Sequence, residues 1–247
     1  METVIDHINE NHANESGKYV KNIIFGGLDG IITTFSIIAA SYGAGFEIKV
    51  IIIMGIANLI ADGISMGMGD FLSSYYENLY IISEKEKEEK EYDVSKAYEV
   101  NEMIELYKNE GLDEEDAIGI VDIIKKPKYK DFFIKNMVYY ELDLEIPPEN
   151  FRKINMKEGS VTFISFLIFG FIPVLTYIIF YGAGSRNKNI IFGVTCFITS
   201  ISMFMLGFTQ AKITKQNGIK YGFMMLVNGS FAALCAFSIG YGLESLI

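Results

Sequence analysis

VIIIMGIANLIADGISMGMGD, residues 50–70, opens as an unbroken apolar run and closes on two aspartates, two methionines, a serine and a series of glycines. Its length and lack of Pro predict a membrane-spanning helix, extending from about Ile48 to Ile82. A bilayer core of ~30 Å takes about 20 mostly apolar residues per helix. Carboxylates are costly there, by ~2.5–3.5 kcal/mol each even on the most lenient insertion scale. Their presence within a span therefore points to a cavity, a partner or an ion.

Outward from this stretch, the 247 residues divide unevenly, with apolar blocks toward both ends and charge in the middle. Four further segments have spanning length: about 19–43, 160–181, 190–209 and 219–241. The last three carry Asp, Glu, Lys or Arg only at their edges, which favours membrane spans over the alternative of buried helices in a soluble protein. The expected fold is an all-α membrane protein with five transmembrane helices and a helical cytosolic domain inserted between spans 2 and 3. Residues 1–18 read as a flexible polar arm without the apolar core of a signal peptide. Residues 19–83 hold spans 1 and 2, 84–158 the acidic insertion, and 159–247 spans 3 to 5. With the N-terminus in the cytosol, only Lys49, Arg186 and Lys188 of the 21 basic residues fall on the opposite side; the short segments, where the positive-inside rule applies, favour the same orientation by five to three. Cys196 and Cys235 lie inside spans and read as small apolar residues, neither disulfide nor zinc ligands.

Residues 84–158 contain 21 of the 31 acidic residues against 13 Lys and Arg. A run such as SEKEKEEKEY is ordinarily a solvated, salt-bridged helix. No Pro or Gly occurs between Gly69 and Gly111, so the second span is expected to continue out of the membrane as one helix. At 100° per residue, Glu84, Glu88, Glu91, Glu99 and Glu102 fall within ~80° of one another, a column of carboxylates with Ser95 filling its gap. After a turn at Gly111 and a short helix, Pro127 is expected to begin a third helix that runs to Pro147 and Pro148. Met137 and Glu141 share one face of it at i and i+4. Packed on the column, they would add a thioether and a carboxylate. Oxygen ligands suit hard and borderline divalent ions, and a thioether shifts preference toward softer ones such as Fe(II). Taken alone, Met137 reads as core packing.

Within the membrane, Asp29 of the first span is flanked by Gly26, Gly27 and Gly30, small residues that permit close helix approach. In the second span Asn58, Asp62, Met66 and Asp70 recur every four residues as one drifting stripe, beside the small-residue pair Gly63 and Gly67. A pathway lined by Asp29, Asn58, Asp62, Met66 and Asp70 suits a divalent cation, and its carboxylates could exchange protons.

At these residues the chain resembles the vacuolar iron transporter family. The resemblance is carried by GGLDGIITTFSIIAASYGAG (26–45), ANLIADGISMGMGDFLSSYYE (57–77), the glutamate-rich helix, FFIKNMVYYELDLE (132–145) and GSVTFISFLIFGFIPVL (159–175). It covers roughly residues 18–247. It implies a homodimer of five-helix protomers that exports cytosolic Fe(II), and sometimes Mn(II), into a storage or acidic compartment in exchange for protons. Asp29 and Met66 match the family's pathway aspartate and methionine at the dimer interface. Glu88, Glu91, Glu99 and Glu102 match its cytosolic metal-binding glutamates in spacing, and Met137 and Glu141 its third-helix ligands. Two departures stand out. Some relatives have consecutive methionines where this chain has Met137 and Val138, and some have an acid where it has Asn58, with the acid here one turn later at Asp62.

Three functions are compatible with such a chain. A proton-coupled Fe(II) transporter uses both the membrane acids and the glutamate column. A di-iron enzyme would ordinarily need Glu-x-x-His motifs, but the only histidines are His7 and His12 in the polar arm. A membrane-anchored metal sensor or scaffold has no use for Asp29, Asp62 and Asp70. The expected ligands are transported Fe(II), with Mn(II), Co(II) or Zn(II) as alternatives, and protons, with no permanently bound cofactor. The expected partners are the lipid bilayer and a second copy of the chain, with no nucleic acid. A vacuole-like acidic compartment is the expected location, with a bacterial inner membrane as the alternative.

Overall fold

The computed structural model describes residues 19–246, so the polar arm expected over residues 1–18 lies outside the described residues. The chain forms α1 (Val20–Gly43), α2 (Ile48–Asn109), α3 (Glu114–Ile124), a 3-10 turn (Pro127–Tyr129), α4 (Lys130–Tyr140), α5 (Phe151–Gly182), α6 (Lys188–Ile213) and α7 (Gly218–Glu244). No strand occurs among the described residues. Five of the helices, α1, α2, α5, α6 and α7, are long and apolar enough to cross a membrane, as the sequence predicts. Asn side chains start two of them. Asn187 accepts from the N–H groups of Asn189 and Ile190, and Asn217 from that of Lys220, satisfying donors that a helix N-terminus leaves unpaired. Helix α1 ends at Gly43 and is closed two residues on by Gly45, whose φ of 71° lets the Phe46 N–H return to the Ser41 carbonyl at 3.1 Å, a closure that favours glycine.

Two compact units are present. The first holds α1, α2 as far as Phe71, and α5 to α7 from Met156. Helix α1 is its centre. Gly26 and Gly30 lie against the backbone of Thr162 and Phe166 on α5, and Ala40 against Gly240 of α7. Ile31, Phe35 and Ala39 pack with Met203 of α6 and Ala233 of α7. On α2, Gly67 faces Gly159 of α5 so closely that a β-carbon at Gly159 would stand 2.5 Å from the Gly67 carbonyl oxygen. The small residues read from sequence as packing devices are thus spent mainly on α5. Large apolar side chains, including Ile53, Ile64, Phe197, Phe231 and Leu234, point outward and exposed. A soluble protein would hide them, and lipid accepts them.

The second unit spans residues 72–155: the outer part of α2, then α3, the 3-10 turn and α4. Tyr92, Met103, Tyr107, Val121, Phe133, Ile134, Met137 and Val138 form its core, with the Tyr92 and Phe133 rings 4.9 Å apart. Asp113 caps α3 by accepting from the Asp116 N–H at 2.9 Å. Lys85–Asp131 at 2.8 Å and Lys130–Asp93 at 2.7 Å tie α4 to α2. Such exposed pairs contribute ~0–1 kcal/mol each, so they set register while the core supplies stability.

Two expectations are corrected here. Helix α2 is not regular throughout: Ser95 has φ −132° and ψ 41°, a break that breaker residues could not signal because none is present. And α4 stops at Tyr140, well before Pro147. The chain turns at Asp143, whose φ is 54°, and the Leu144 N–H bonds to the Val138 carbonyl at 3.2 Å.

Candidate functional site

Two groups of side chains carry the chemistry, one in each unit. In the acidic unit, Glu88 and Glu99 are buried, 5% and 3% exposed. Glu88 leaves one carboxylate oxygen without a hydrogen-bond partner. A buried unpaired acceptor costs ~1–3 kcal/mol or more when charged, so this arrangement needs a compensating ligand, proton or cation. Burial first, then the neighbouring carboxylates of Glu141, Glu91, Glu99 and Glu102, push Glu88 up to about 7. Burial, then Glu102, Glu91 and Glu141, push Glu99 up to about 6. Glu141 is raised by burial and then by Glu102 and Glu91. These five acids therefore act on one another as a single negative field. Glu84, the first member of the column read from sequence, is instead drawn off by Lys87 at 2.6 Å. No three of the described Asp, Glu, His and Cys side chains stand close enough to chelate one ion as placed. The break at Ser95 lies between the Glu88–Glu91 and Glu99–Glu102 pairs and shifts the phase of one against the other.

The sign of the pH effect follows. A carboxylate whose folded pKa is raised stabilises the fold fully below its unfolded value, near 4.5, and loses that contribution as pH rises through the folded value. In a chelator, the unit over residues 72–155 is therefore expected to be more stable at pH 5 than at pH 7.5. Glu88→Gln should remove part of this dependence, adding of the order of 1–3 kcal/mol at pH 7.5 and little at pH 4.5. Hydrogen exchange of the full-length protein, read over residues 84–140, measures it. Equal protection at both pH values in the wild type would contradict the account.

Met137 is fully buried in the core of this unit, with Glu141 one turn on at the end of α4. Met137→Ala is expected to destabilise the unit by ~2–5 kcal/mol, as for other buried methionines. Met137→Leu conserves volume and should cost less than ~1.5 kcal/mol. Comparing metal affinity of the Leu variant with wild type isolates the thioether: unchanged affinity assigns Met137 to packing.

In the membrane unit, Asp29 on α1 and Asp62 on α2 lie close enough to act on each other electrostatically. The Asn58 side chain donates to Asp62 at 2.7 Å, and Thr33 donates to the Asp29 carbonyl at 2.8 Å. Asp29, Asn58, Asp62 and Met66 are all half-buried. Asp70 accepts from Asn22 at 2.8 Å and from Thr162 at 2.5 Å. Sequence reasoning passed over Asn22 and Thr162, which are ordinary polar residues at the edges of spans. Farther along the same two helices, Ser41 donates to the Met54 sulfur at 3.7 Å. The contacts 22–70 and 41–54 make α1 and α2 antiparallel and mark a polar seam between them. Cys196 is half-buried, Cys235 exposed, and both are free.

Five helices of membrane-spanning length, with carboxylates along a polar interhelical seam and a separate acidic unit, have the build of a membrane transporter. Comparison with known proteins makes this specific: residues 20–241 match the family model described as the VIT family, and the chain belongs to that family. It is 37% identical to the vacuolar iron transporter of Toxoplasma gondii over 246 residues, 98% of this chain and 78% of the relative. It is 35% identical to the vacuolar iron transporter of Plasmodium falciparum over 98% of this chain and 88% of the relative. With vacuolar iron transporter 1 of Arabidopsis thaliana it shares 27% identity over 96% and 91% of the two chains.

Proposed function

We propose that this protein moves Fe(II), with Mn(II) as a second substrate, from the cytosol into an acidic, vacuole-like compartment in exchange for protons. The observation that carries the reading is that Asp29 and Asp62, on two antiparallel helices of the membrane unit, lie within electrostatic reach of each other, with Met66 one turn from Asp62. Two carboxylates on one seam hold either a divalent cation or protons, and competition between the two is the simplest basis for exchange. The Met66 thioether favours Fe(II) over the harder Mg(II) and Ca(II). The relatives' shared name, vacuolar iron transporter, supports both the metal and the compartment.

Glu88, Glu91, Glu99, Glu102 and Glu141 serve in this reading as a cytosolic collector that raises the local concentration of divalent cations. The distribution of Lys and Arg supports placing that unit in the cytosol. A homodimer is part of the proposal, a second protomer enclosing the half-buried residues of the seam.

The test is transport by wild-type protein in proteoliposomes with an acidic lumen, a pH-sensitive dye inside and anaerobic Fe(II) outside. The expected result is lumenal alkalinisation that depends on Fe(II). Metal entry without proton movement would make the protein a uniporter and end the coupling argument. Metal binding with no entry would return it to the sensor reading.

A further inference from the structure

Asp70 stands apart from the other acids of the seam by how it is held. Three side chains from three helices meet at it: Asn22 of α1, Asp70 of α2 and Thr162 of α5. The Asn22 Nδ2 donates to Asp70 Oδ2 at 2.8 Å and to Thr162 Oγ1 at 3.2 Å, and Thr162 Oγ1 donates to the same Asp70 oxygen at 2.5 Å. Both amide hydrogens of Asn22 and the hydroxyl hydrogen of Thr162 are thereby directed within the group. Thr162 is fully buried and Asn22 is 7% exposed.

The helices around this knot have no slack. A β-carbon at Gly26 would collide with the Thr162 carbonyl, and one at Gly67 would stand 2.9 Å from the Gly159 carbonyl oxygen. Ser165 donates to the Ile23 carbonyl at 2.6 Å. The knot also lies in register with the acids of the seam. Asp29 is seven residues beyond Asn22, two turns or ~10.5 Å along α1. Asp62 is eight residues before Asp70 on the antiparallel α2, and Met66 is one turn, ~6 Å, before it. The Asn22–Asp70 hydrogen bond and the level of Asp29 and Asp62 are therefore successive steps of one interhelical seam.

We infer that Asp70, expected from the sequence to line the pathway, is instead a positioning residue: with Asn22 and Thr162 it clasps α1, α2 and α5 together and so sets Asp29 against Asp62 and Met66, without itself binding the transported ion. The inference rests on the proposed transport pathway, and the Asp70 carboxylate serves it as a hydrogen-bond acceptor. An amide oxygen at the same place can accept from the same two donors.

The test uses the full-length protein in proteoliposomes with Fe(II) as substrate, comparing Asp70→Asn, Asp70→Ala, Thr162→Val and Thr162→Ser. Asp70→Asn and Thr162→Ser are expected to keep KM and maximal rate within about twofold of wild type, because each keeps the hydrogen bonds. Asp70→Ala and Thr162→Val should raise KM for Fe(II) by ~10-fold or more, the size of effect seen when groups that orient metal ligands are removed. An Asp70→Asn variant as inactive as Asp70→Ala, beside an active wild type, overturns the inference, since the charge itself would then be required. A second measurement needs no transport: thermal unfolding in detergent of wild type, Asp70→Ala, Thr162→Val and the double variant of these two, with Asp70→Asn measured alongside. Coupling between the two sites in wild type, with Asp70→Asn itself near wild type, supports the clasp, and additive losses overturn it. If wild type moves no Fe(II), the transport reading fails, and the unfolding cycle still decides whether the clasp exists.

Discussion

Asp29→Asn is expected to lower Fe(II) transport by at least ~10–100-fold while leaving the protein folded. Even groups that only orient a metal ligand cost that much when removed, and Asp29 is proposed as a ligand itself. It sits on the central helix of the membrane unit, between glycines that bring α5 against it, and it feels the Asp62 carboxylate from α2. The amide keeps the volume and removes the charge. A divalent cation then meets one carboxylate on the seam instead of two, and exchange against protons loses a site. Helix packing has no reason to change, so thermal unfolding in detergent should stay within ~1 kcal/mol of wild type, as for substitutions that break no packing. The measurement is the initial rate of metal uptake in proteoliposomes, with the unfolding midpoint taken on the same preparation. A rate within twofold of wild type would remove Asp29 from the pathway.

The largest structural effect is expected at Gly30. A β-carbon there would run into the carbonyl oxygen and Cα of Phe166, which are backbone atoms of α5 and have nowhere to retreat. On the other side, Gly170 approaches the Gly30 carbonyl, and a β-carbon at Gly170 would stand 2.8 Å from that oxygen. Lipid supplies no hydrophobic drive between helices, so contact of this kind holds them together. Overpacking in cores costs ~1–3 kcal/mol where side chains can adjust, and here only backbone could move. Gly30→Val is therefore expected to separate α1 from α5 and yield little monodisperse protein. Gly69→Ala is the control: nothing lies within 4 Å of a β-carbon at that position, and alanine in a helix interior is favoured over glycine by ~0.5–1 kcal/mol. Size-exclusion profiles and unfolding midpoints of the two variants check the contrast. Equal behaviour would show that the close approach at Gly30 carries no energy.

Much of this was readable from residues alone because the bilayer imposes a simple rule. Runs of apolar residues near 20 in number declare the spans of α1, α2, α5, α6 and α7, and the lengths of the runs place them closely. The every-fourth-residue spacing of Asn58, Asp62, Met66 and Asp70 likewise declares one helix face. Family motifs around Asp29 and Met66 added the class of function. The acidic unit was harder. Glu84 and Glu88 look alike on a helical wheel, yet one pairs with Lys87 and the other is buried without a partner for one of its oxygens. Which glutamate is buried depends on where α4 packs, and a wheel does not contain α4. The break at Ser95 and the early end of α4 left no Pro or Gly signal.

Sequence by itself determined the number of helices of spanning length, the class of fold, the acids that lie within those helices and the separation of apolar from acidic segments. Each of these follows from composition read along one dimension, where hydrophobic length and helical period are sufficient. Tertiary structure alone decided the partners: that Asp29 lies within electrostatic reach of Asp62, that Asp70 is held by Asn22 and Thr162, that Glu88 and Glu99 are buried, and that Met137 lies in a core. The physical reason is that a side chain's chemistry is set by what other helices bring to within a few ångströms, and contacts between residues 48 and 140 positions apart leave no trace in local pattern.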